Sequence, residues 1–303
     1  MPAATVLFLA LFLAACSGKD NNAAGKAMAA ASKPPSALPP RPGFATRRAL
    51  IAQGRAAFAS GDWDTCTKLF ETAQSWADAA RCVAHTRDTA RGLDDLQRAL
   101  ARNLSDLDKL CSDADLAPLQ RDPRWQPILA DATTKLAAYR GTVNVELEQL
   151  ARAEDAPGQP PAHPADAHVF AARLPRVAAI LTAGGATIAD DYLQAAMIYY
   201  RADTAAGAAR AHELALTALE HDPDSDVARW LAAASEDRRL KHEGKPQKYG
   251  TQFVTSGDKR DLWNVDPSVD DAERARWSVP SLAEAIAGDA ETAAALRIGE
   301  PAL

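Results

Sequence analysis

The densest group of polar side chains in the sequence lies between residues 236 and 252, where carboxylate, guanidinium and amide groups follow one another closely. Asp237 falls on the apolar face of a predicted helix, so we expect its carboxylate to point into the protein. Arg238 stands beside it, and the loop that follows carries Gln247 and Gln252. Side chains of these types can form a buried polar network or bind a polar ligand.

Two interpretations of this group stay open. In the first, Asp237 and Arg238 hold the loop in place through hydrogen bonds and have no further role. In the second, they line a pocket for a small ligand, and the residue types favour binding over catalysis. The candidate pocket consists of Asp191, Asp237, Arg238, Gln247, Tyr249 and Gln252.

Other patterns of reactive residues are incomplete. The position four residues after His212 is occupied by Leu216, so the histidine pair of a zinc protease helix is missing. Asp222, Asp224 and Asp226 alternate like the start of a calcium loop, but the required glycine and glutamate are absent. No Gly-x-Ser-x-Gly motif marks a nucleophile. We therefore predict no metal and no cofactor, assign no catalytic residue, and favour a binding protein over an enzyme.

The C-terminal half resembles a family of bacterial domains of unknown function. The resemblance rests on Asp-Arg-x-Leu at 237–240 and on Gly-x-Pro-Gln-x-Tyr-Gly-Thr-Gln at 244–252. Asp191 with the alanine pair at 195–196 is another matching piece. The family implies one domain over roughly residues 142–290, and it brings no known activity.

The N-terminus carries a targeting signal. Residues 6–13 form an apolar segment that is too short to cross a bilayer as a helix. It ends in Leu13-Ala14-Ala15-Cys16, which resembles the lipobox of bacterial lipoproteins. The resemblance implies cleavage before Cys16, lipid attached to that cysteine and, because Ser17 follows, anchoring to the outer membrane facing the periplasm. The alternative is an ordinary secretory signal in which this cysteine is incidental.

The remaining sequence divides at stretches rich in proline. We predict a signal peptide at 1–15, a lipid-anchored linker at 16–44, helical repeats with a capping segment at 45–140, and a second helical domain at 142–303. The linker contains five prolines between Pro34 and Pro42, a composition that predicts an extended, semi-rigid segment. A second proline-rich break runs from 155 to 164.

Residues 46–103 are predicted to form two helical hairpins that resemble degenerate tetratricopeptide repeats. In such repeats small residues let antiparallel helices approach, and large apolar residues fill the gap to the next hairpin. The residues with this spacing in the first hairpin are Gly54, Gly61, Asp62, Trp63, Cys66, Phe70 and Ala73. The second hairpin repeats the pattern with Trp76, Ala80, Leu96 and Ala99.

The stretch after the hairpins is interpreted as a cap. Residues 113–125 resemble the closing segment of tetratricopeptide groups in bacterial proteins, with Pro118 and Pro123 ending helices. Trp125 and Leu129 are then expected to cover the last apolar face.

Export would place Cys66, Cys82 and Cys111 in an oxidising compartment. Since their number is odd, at most one pair can form among these three. We predict a disulfide between Cys66 and Cys82, because they fall on neighbouring antiparallel helices of the two hairpins. The alternative is that all three are small buried core residues.

The second domain is predicted to be mostly helical. Apolar periodicity indicates helices at 144–150, 173–181, 191–200, 210–220 and 226–240. Short runs at 249–254 and 262–265 flank a turn at 255–258 and predict a β-hairpin. A final helix begins near Pro280.

Composition agrees with a mainly α fold. Apolar residues make up 47% of the 303 residues and aromatic residues only 6%, and alanine, the best helix former, is abundant. The net charge is −6 without a Lys/Arg cluster, so nucleic acid is excluded as a predicted partner. The predicted function is a lipid-anchored interaction or scaffold module with a periplasmic protein partner. The alternative is a ligand-binding protein or enzyme that uses the C-terminal pocket.

Overall fold

The computed structural model describes residues 42–102, 107–152, 167–256 and 259–287. Across these residues the chain is helical apart from one two-stranded antiparallel sheet, which confirms the mainly α fold. The signal peptide, Cys16, nearly all of the predicted linker and the break at 155–164 lie outside the described residues.

The chain separates into two compact units. Among the described residues the first unit contains residue 42 and 46–138, and the second contains 43–45 and everything from 139 onward. Each unit has its own buried apolar core.

Seven of the described helices lie wholly or mostly in the first unit, together with one short 3-10 turn at Ala114–Leu116. The helices are α1 (Phe44–Ser60), α2 (Trp63–Thr72), α3 (Trp76–Ala84), α4 (Thr89–Arg102), α5 (Leu107–Ser112), α6 (Ala117–Gln120) and α7 (Trp125–Arg140). Helices α1 to α4 form the two predicted hairpins. The turn between α1 and α2 is closed by Asp62, whose carboxylate accepts a hydrogen bond from the Thr65 amide at 3.2 Å.

Gly54 lets α1 and α2 approach each other closely, as the spacing predicts. A Cβ atom added to Gly54 would lie 3.0 Å from the ring of Phe70, closer than an ordinary van der Waals contact. Both residues lie eight positions from Asp62, so the two helices run antiparallel on either side of this turn. A larger side chain at Gly54 would overpack this contact.

A disulfide joins the two hairpins. It links Cys66 of α2 to Cys82 of α3, with 5.9 Å between the Cα atoms. Both cysteines are fully buried and share a cluster with Ala57, Phe70 and Ala79. This is the pairing that the hairpin arrangement predicts.

The capping segment buries its apolar residues in the core of the second hairpin. Trp125 and Leu129 pack in one cluster with Leu93 and Leu96 of α4, as expected for a cap. The prediction for Pro118 is wrong in detail, because this proline lies in the first turn of α6 and not at a helix end. A proline is tolerated there because the first amide groups of a helix have no partner within the helix.

The second unit contains seven helices and the sheet within its described part. They are α8 (Val145–Ala151), α9 (Ala167–Thr182), α10 (Ala189–Arg201), α11 (Ala205–His221), α12 (Asp226–His242), β1 (Phe253–Ser256), β2 (Lys259–Leu262), α13 (Asp271–Arg276) and α14 (Leu282–Ala287). Helix α13 was not among the predicted elements, and α9 and α11 each begin several residues earlier than predicted.

Alanine-rich faces hold α10, α11 and α12 together. Ala195, Ala196, Ala211, Ala215 and Ala233 are all almost fully buried in one core. Because alanine adds only a methyl group, the helix backbones can pack closely without leaving voids. The three helices form the rigid platform on which the polar loop after α12 lies.

The β-hairpin forms, but with strands different from those predicted. Phe253 pairs with Leu262 and Ser256 with Lys259, so the first strand begins four residues later than predicted and the second ends three residues earlier. The backbone amides of 248, 249 and 251 donate to a side chain and not to a neighbouring strand. That use of the backbone keeps the amides of 248, 249 and 251 out of strand pairing, and Gln247 before them makes only an isolated parallel bridge with Val265.

Candidate functional site

The predicted polar cluster exists in the second unit and is centred on Asp237. Its carboxylate is completely buried, as the helical pattern predicts. One oxygen accepts the amides of Lys248 at 2.7 Å and Tyr249 at 3.0 Å. The other accepts the amide of Thr251 at 3.1 Å and its hydroxyl at 2.9 Å. Gly250, between these donors, has φ of +85°, a conformation that glycine adopts without strain.

Two glutamines complete the loop. The Gln247 side chain donates to the carbonyls of Gln252 at 2.9 Å and Trp263 at 2.7 Å, and it accepts the Gln252 amide at 2.7 Å. The Gln252 side chain donates to the Tyr200 hydroxyl at 3.2 Å and the Ala234 carbonyl at 3.3 Å. The Gln247 side chain therefore joins the two ends of the loop to residue 263, and the Gln252 side chain fixes the loop to α10 and α12.

Arg238 links this loop to α10. Its Nη1 donates to the Tyr200 carbonyl at 2.7 Å, and its Nε donates to the Gln252 side chain at 3.2 Å. The guanidinium lies over the Tyr200 ring, 3.5 Å from the ring centre, which is a cation–π contact.

Asp191 does not belong to this cluster, and its inclusion in the candidate pocket is wrong. It stands at the first turn of α10, nine residues before Tyr200, which places it about 13 Å away along the helix. Its carboxylate accepts the amides of Asn144 at 2.7 Å and Thr187 at 2.9 Å. Asp191 thus fixes the start of α10 and the start of α8.

Buried in this way, the cluster has the properties of a structural network. Burial raises the pKa of Asp237, and the hydrogen bonds from Tyr249, Thr251 and Lys248 oppose that shift. Burial, followed by the charges of Glu273 and Asp237, raises the pKa of Tyr249 to about 12. The carboxylate and amide atoms that a ligand would need are already bonded within the chain. This geometry favours the first of the two interpretations, in which these residues hold the loop.

Open space borders charged side chains in the first unit instead. The first cleft has a volume of about 410 Å³ and lies between the first hairpin, α3 and the capping segment. Its lining consists of Arg55, Phe58, Phe70, Asp78, Arg81, Asp113 and Asp115. The aromatic rings provide apolar surface, and the charged groups stand around it.

Arg81 organises one wall of the first cleft. It binds Asp78 through Nη1 and Asp113 through Nε, each at 2.5 Å. Burial lowers the pKa of Arg81, but the hydrogen bond to Asp113 and the charges of both aspartates outweigh it and raise the value. This wall is therefore fixed before any ligand arrives.

Aromatic groups extend the surface at the rim of the first cleft. His85 stacks on Trp63 with 4.1 Å between the ring centres, and Phe58 meets both rings edge-on. His85 also lies 3.4 Å from Asp115, whose side chain is 42% exposed. Arg55 is exposed on the opposite side.

A second cleft of about 490 Å³ lies beside the start of α4. Its lining consists of Asp64, Thr67, Val83, Thr86, Arg87, Asp88 and Arg91. Arg91 is held in place by Glu71 of α2, with two hydrogen bonds of 2.7 Å each.

Neither cleft was predicted from the sequence. Asp113 and Asp115 were noticed only as parts of the capping segment, and Arg55, Asp78 and Arg81 carried no motif. The only available signal was the repeat pattern itself, since stacked hairpins leave grooves between their helices.

Comparison of the chain with protein-family models, with curated proteins and with solved structures gives no match. None of the described helices is long and apolar enough to cross a bilayer. In the described part of the chain no group of three His, Cys, Asp or Glu side chains could hold a metal ion.

Proposed function

We propose that this protein is a lipoprotein of the outer membrane, anchored at Cys16 and facing the periplasm, whose first unit binds a segment of another protein in the first cleft. The observation that carries the proposal is the cleft itself, which combines two aromatic rings with a wall of fixed charges. A surface of this kind supplies apolar contact area together with groups that orient a peptide.

The fixed position of Arg81 supports binding. Because Asp78 and Asp113 already hold the guanidinium, little side-chain entropy is lost when a partner docks against this wall. Phe70 is buried while Phe58 is half-buried, so the apolar surface is backed by a rigid core. The polar cluster of the second unit is a weaker candidate for a binding site, because the Asp237 carboxylate is already hydrogen-bonded to the loop within the chain.

The cleft assignment predicts a specific pattern of crosslinks in cells. A photoreactive amino acid placed at Arg55 or at Asp115 should give the same crosslinked product, because both positions lie at the rim of the first cleft. The control is Val169 of the second unit, which is 47% exposed and should not give this product. Arg55→Glu should reduce the product formed from position 115 at least several-fold. Equal products from all three positions would contradict a site in the cleft.

The anchor is tested separately. With radioactive palmitate, the full chain produced in a bacterium with an outer membrane should carry label and sediment with that membrane. Cys16→Ser should remove the label, because the serine has no thiol to which lipid can be attached. A Cys16→Ser variant that still carries the label would contradict the lipid anchor without affecting the cleft assignment.

A further inference from the structure

Asp95, on α4, is a carboxylate buried within the first unit. The residue has no exposed surface, and its Oδ1 accepts a hydrogen bond from Arg98 at 2.9 Å. Its Oδ2 is buried as well and has no hydrogen-bond partner among the residues that the structure describes. A buried carboxylate with an empty acceptor is unfavourable when it is ionised.

A second carboxylate stands close to Asp95 on the neighbouring hairpin. Glu71 of α2 holds Arg91 of α4 through two parallel hydrogen bonds, so this ion pair joins the two hairpins. Arg91 precedes Asp95 by four residues on the same helix, which places both side chains on one face. The negative charges of Glu71 and Asp95 both act on Arg91.

Besides burial, three charged side chains change the pKa of Asp95. Glu71 raises its pKa through negative charge, while Arg98 and Arg91 lower it. Arg98 also lies over the ring of Trp76, 5.0 Å from its centre, which keeps it beside Asp95. The charged residues of α3 point elsewhere, since Asp78 and Arg81 bind each other beside the first cleft.

We propose that Glu71, Arg91, Asp95 and Arg98 form a pH-sensitive contact between the two hairpins, in which Glu71 and ionised Asp95 compete for Arg91. When Asp95 is protonated, Arg91 stays bound to Glu71 and ties α2 to α4. When Asp95 releases its proton to solvent, its new charge attracts Arg91 and weakens that tie. Because Arg91 lines the second cleft, protonation or deprotonation of Asp95 also changes the charge at the surface of that cleft.

The electrostatics support this arrangement. Burial in the first place, and the charge of Glu71 in the second, raise the pKa of Asp95 from 3.8 to about 7. A carboxylate whose pKa is raised on folding contributes stability that is fully present below its unfolded value of about 4. This contribution is lost as the pH rises through about 7, and above that pH the ionisation of Asp95 causes no further change in stability.

Unfolding as a function of pH tests the proposal. Relative to Asp95→Asn, the unfolding equilibrium constant of the first unit in the full wild-type chain should rise up to about tenfold per pH unit between about 4 and 7. Asp94→Asn is the matched control, because Asp94 is the exposed neighbour on the same helix, and it should keep the wild-type dependence. Identical pH dependence in the wild type and Asp95→Asn would overturn the proposal.

Carbon-13 nuclear magnetic resonance of the side-chain carboxyl groups gives a second test that does not need the Asp95 variant to fold. Asp95 in the wild-type chain should titrate near pH 7, and Glu71→Gln should lower that midpoint by removing the like charge. The Nε–H signal of Arg91 should shift with the same midpoint, since this group donates to Glu71. A midpoint below about 5, near the ordinary aspartate value, or an Arg91 signal that does not follow Asp95 would overturn the competition.

Discussion

We expect Asp237→Ala to lower the free energy of unfolding of the second unit by about 3–5 kcal/mol. The substitution removes the acceptor for the amides of Lys248, Tyr249 and Thr251 and for the Thr251 hydroxyl. Each buried donor left without a partner costs about 1–3 kcal/mol, and partial opening of the loop to water recovers some of that cost. Urea unfolding measures the loss, and hydrogen exchange at these three amides should accelerate more than elsewhere in the unit.

Glu220→Ala provides the matched control for this prediction. Glu220 is an exposed carboxylate on α11 of the same unit, and its removal should change stability by about 0.5 kcal/mol or less. If Asp237→Ala were as mild as this control and its loop amides stayed protected, the carboxylate would not be what holds the loop. That result would favour the interpretation in which Asp237 lines a ligand pocket.

We expect loss of the disulfide to lower the free energy of unfolding of the first unit by about 3 kcal/mol. Cys66 and Cys82 close a loop with a sequence separation of 16, and the crosslink restricts the unfolded chain over that length. Denaturant unfolding of Cys66→Ala, of Cys82→Ala and of the double variant measures this. Mass spectrometry should also find the peptides that contain these two residues linked before reduction.

The three cysteine variants check one another. Either single substitution breaks the whole disulfide, so the double variant should be scarcely less stable than the single ones. If the two single losses simply added in the double variant, each cysteine would contribute only through packing. That result would contradict the covalent link.

Helical elements were predictable because their signal is local. The repeat-like spacing located α1 to α4, the apolar period located most of α8 to α12, and the small residue at Gly54 marked the close approach to Phe70. The observed strands differ from the predicted ones because apolar periodicity cannot show that the Asp237 side chain accepts hydrogen bonds from the amides just before the first strand. The apolar pattern predicts a strand from residue 249, but in the structure Asp237 binds N–H groups of residues 248–251, so the strand begins at 253.

The candidate site was predictable in part. The helical face of Asp237 predicted that it points inward, and its closeness in sequence to the loop with Gln247 and Gln252 predicted that they share a polar cluster. Asp191 was wrongly assigned to the pocket because matching the same domain family does not bring two residues together in space. Nine residues of helix separate it from Tyr200. The first cleft could not be predicted, since Arg55, Arg81 and Asp115 meet only once the hairpins have stacked.

The donors that surround Asp237 also bear on the order of folding. They come from residues 11 to 14 positions further along the chain, so the segment that must close is short. Closure of a loop of about ten residues takes about 10–100 ns and costs little more entropy than a turn. The end of α12 and its loop can therefore regain their native contacts early, while the helices around them are still assembling. The loop at 248–251, which belongs to no helix or strand, is thus suited to form early in the folding of the second unit.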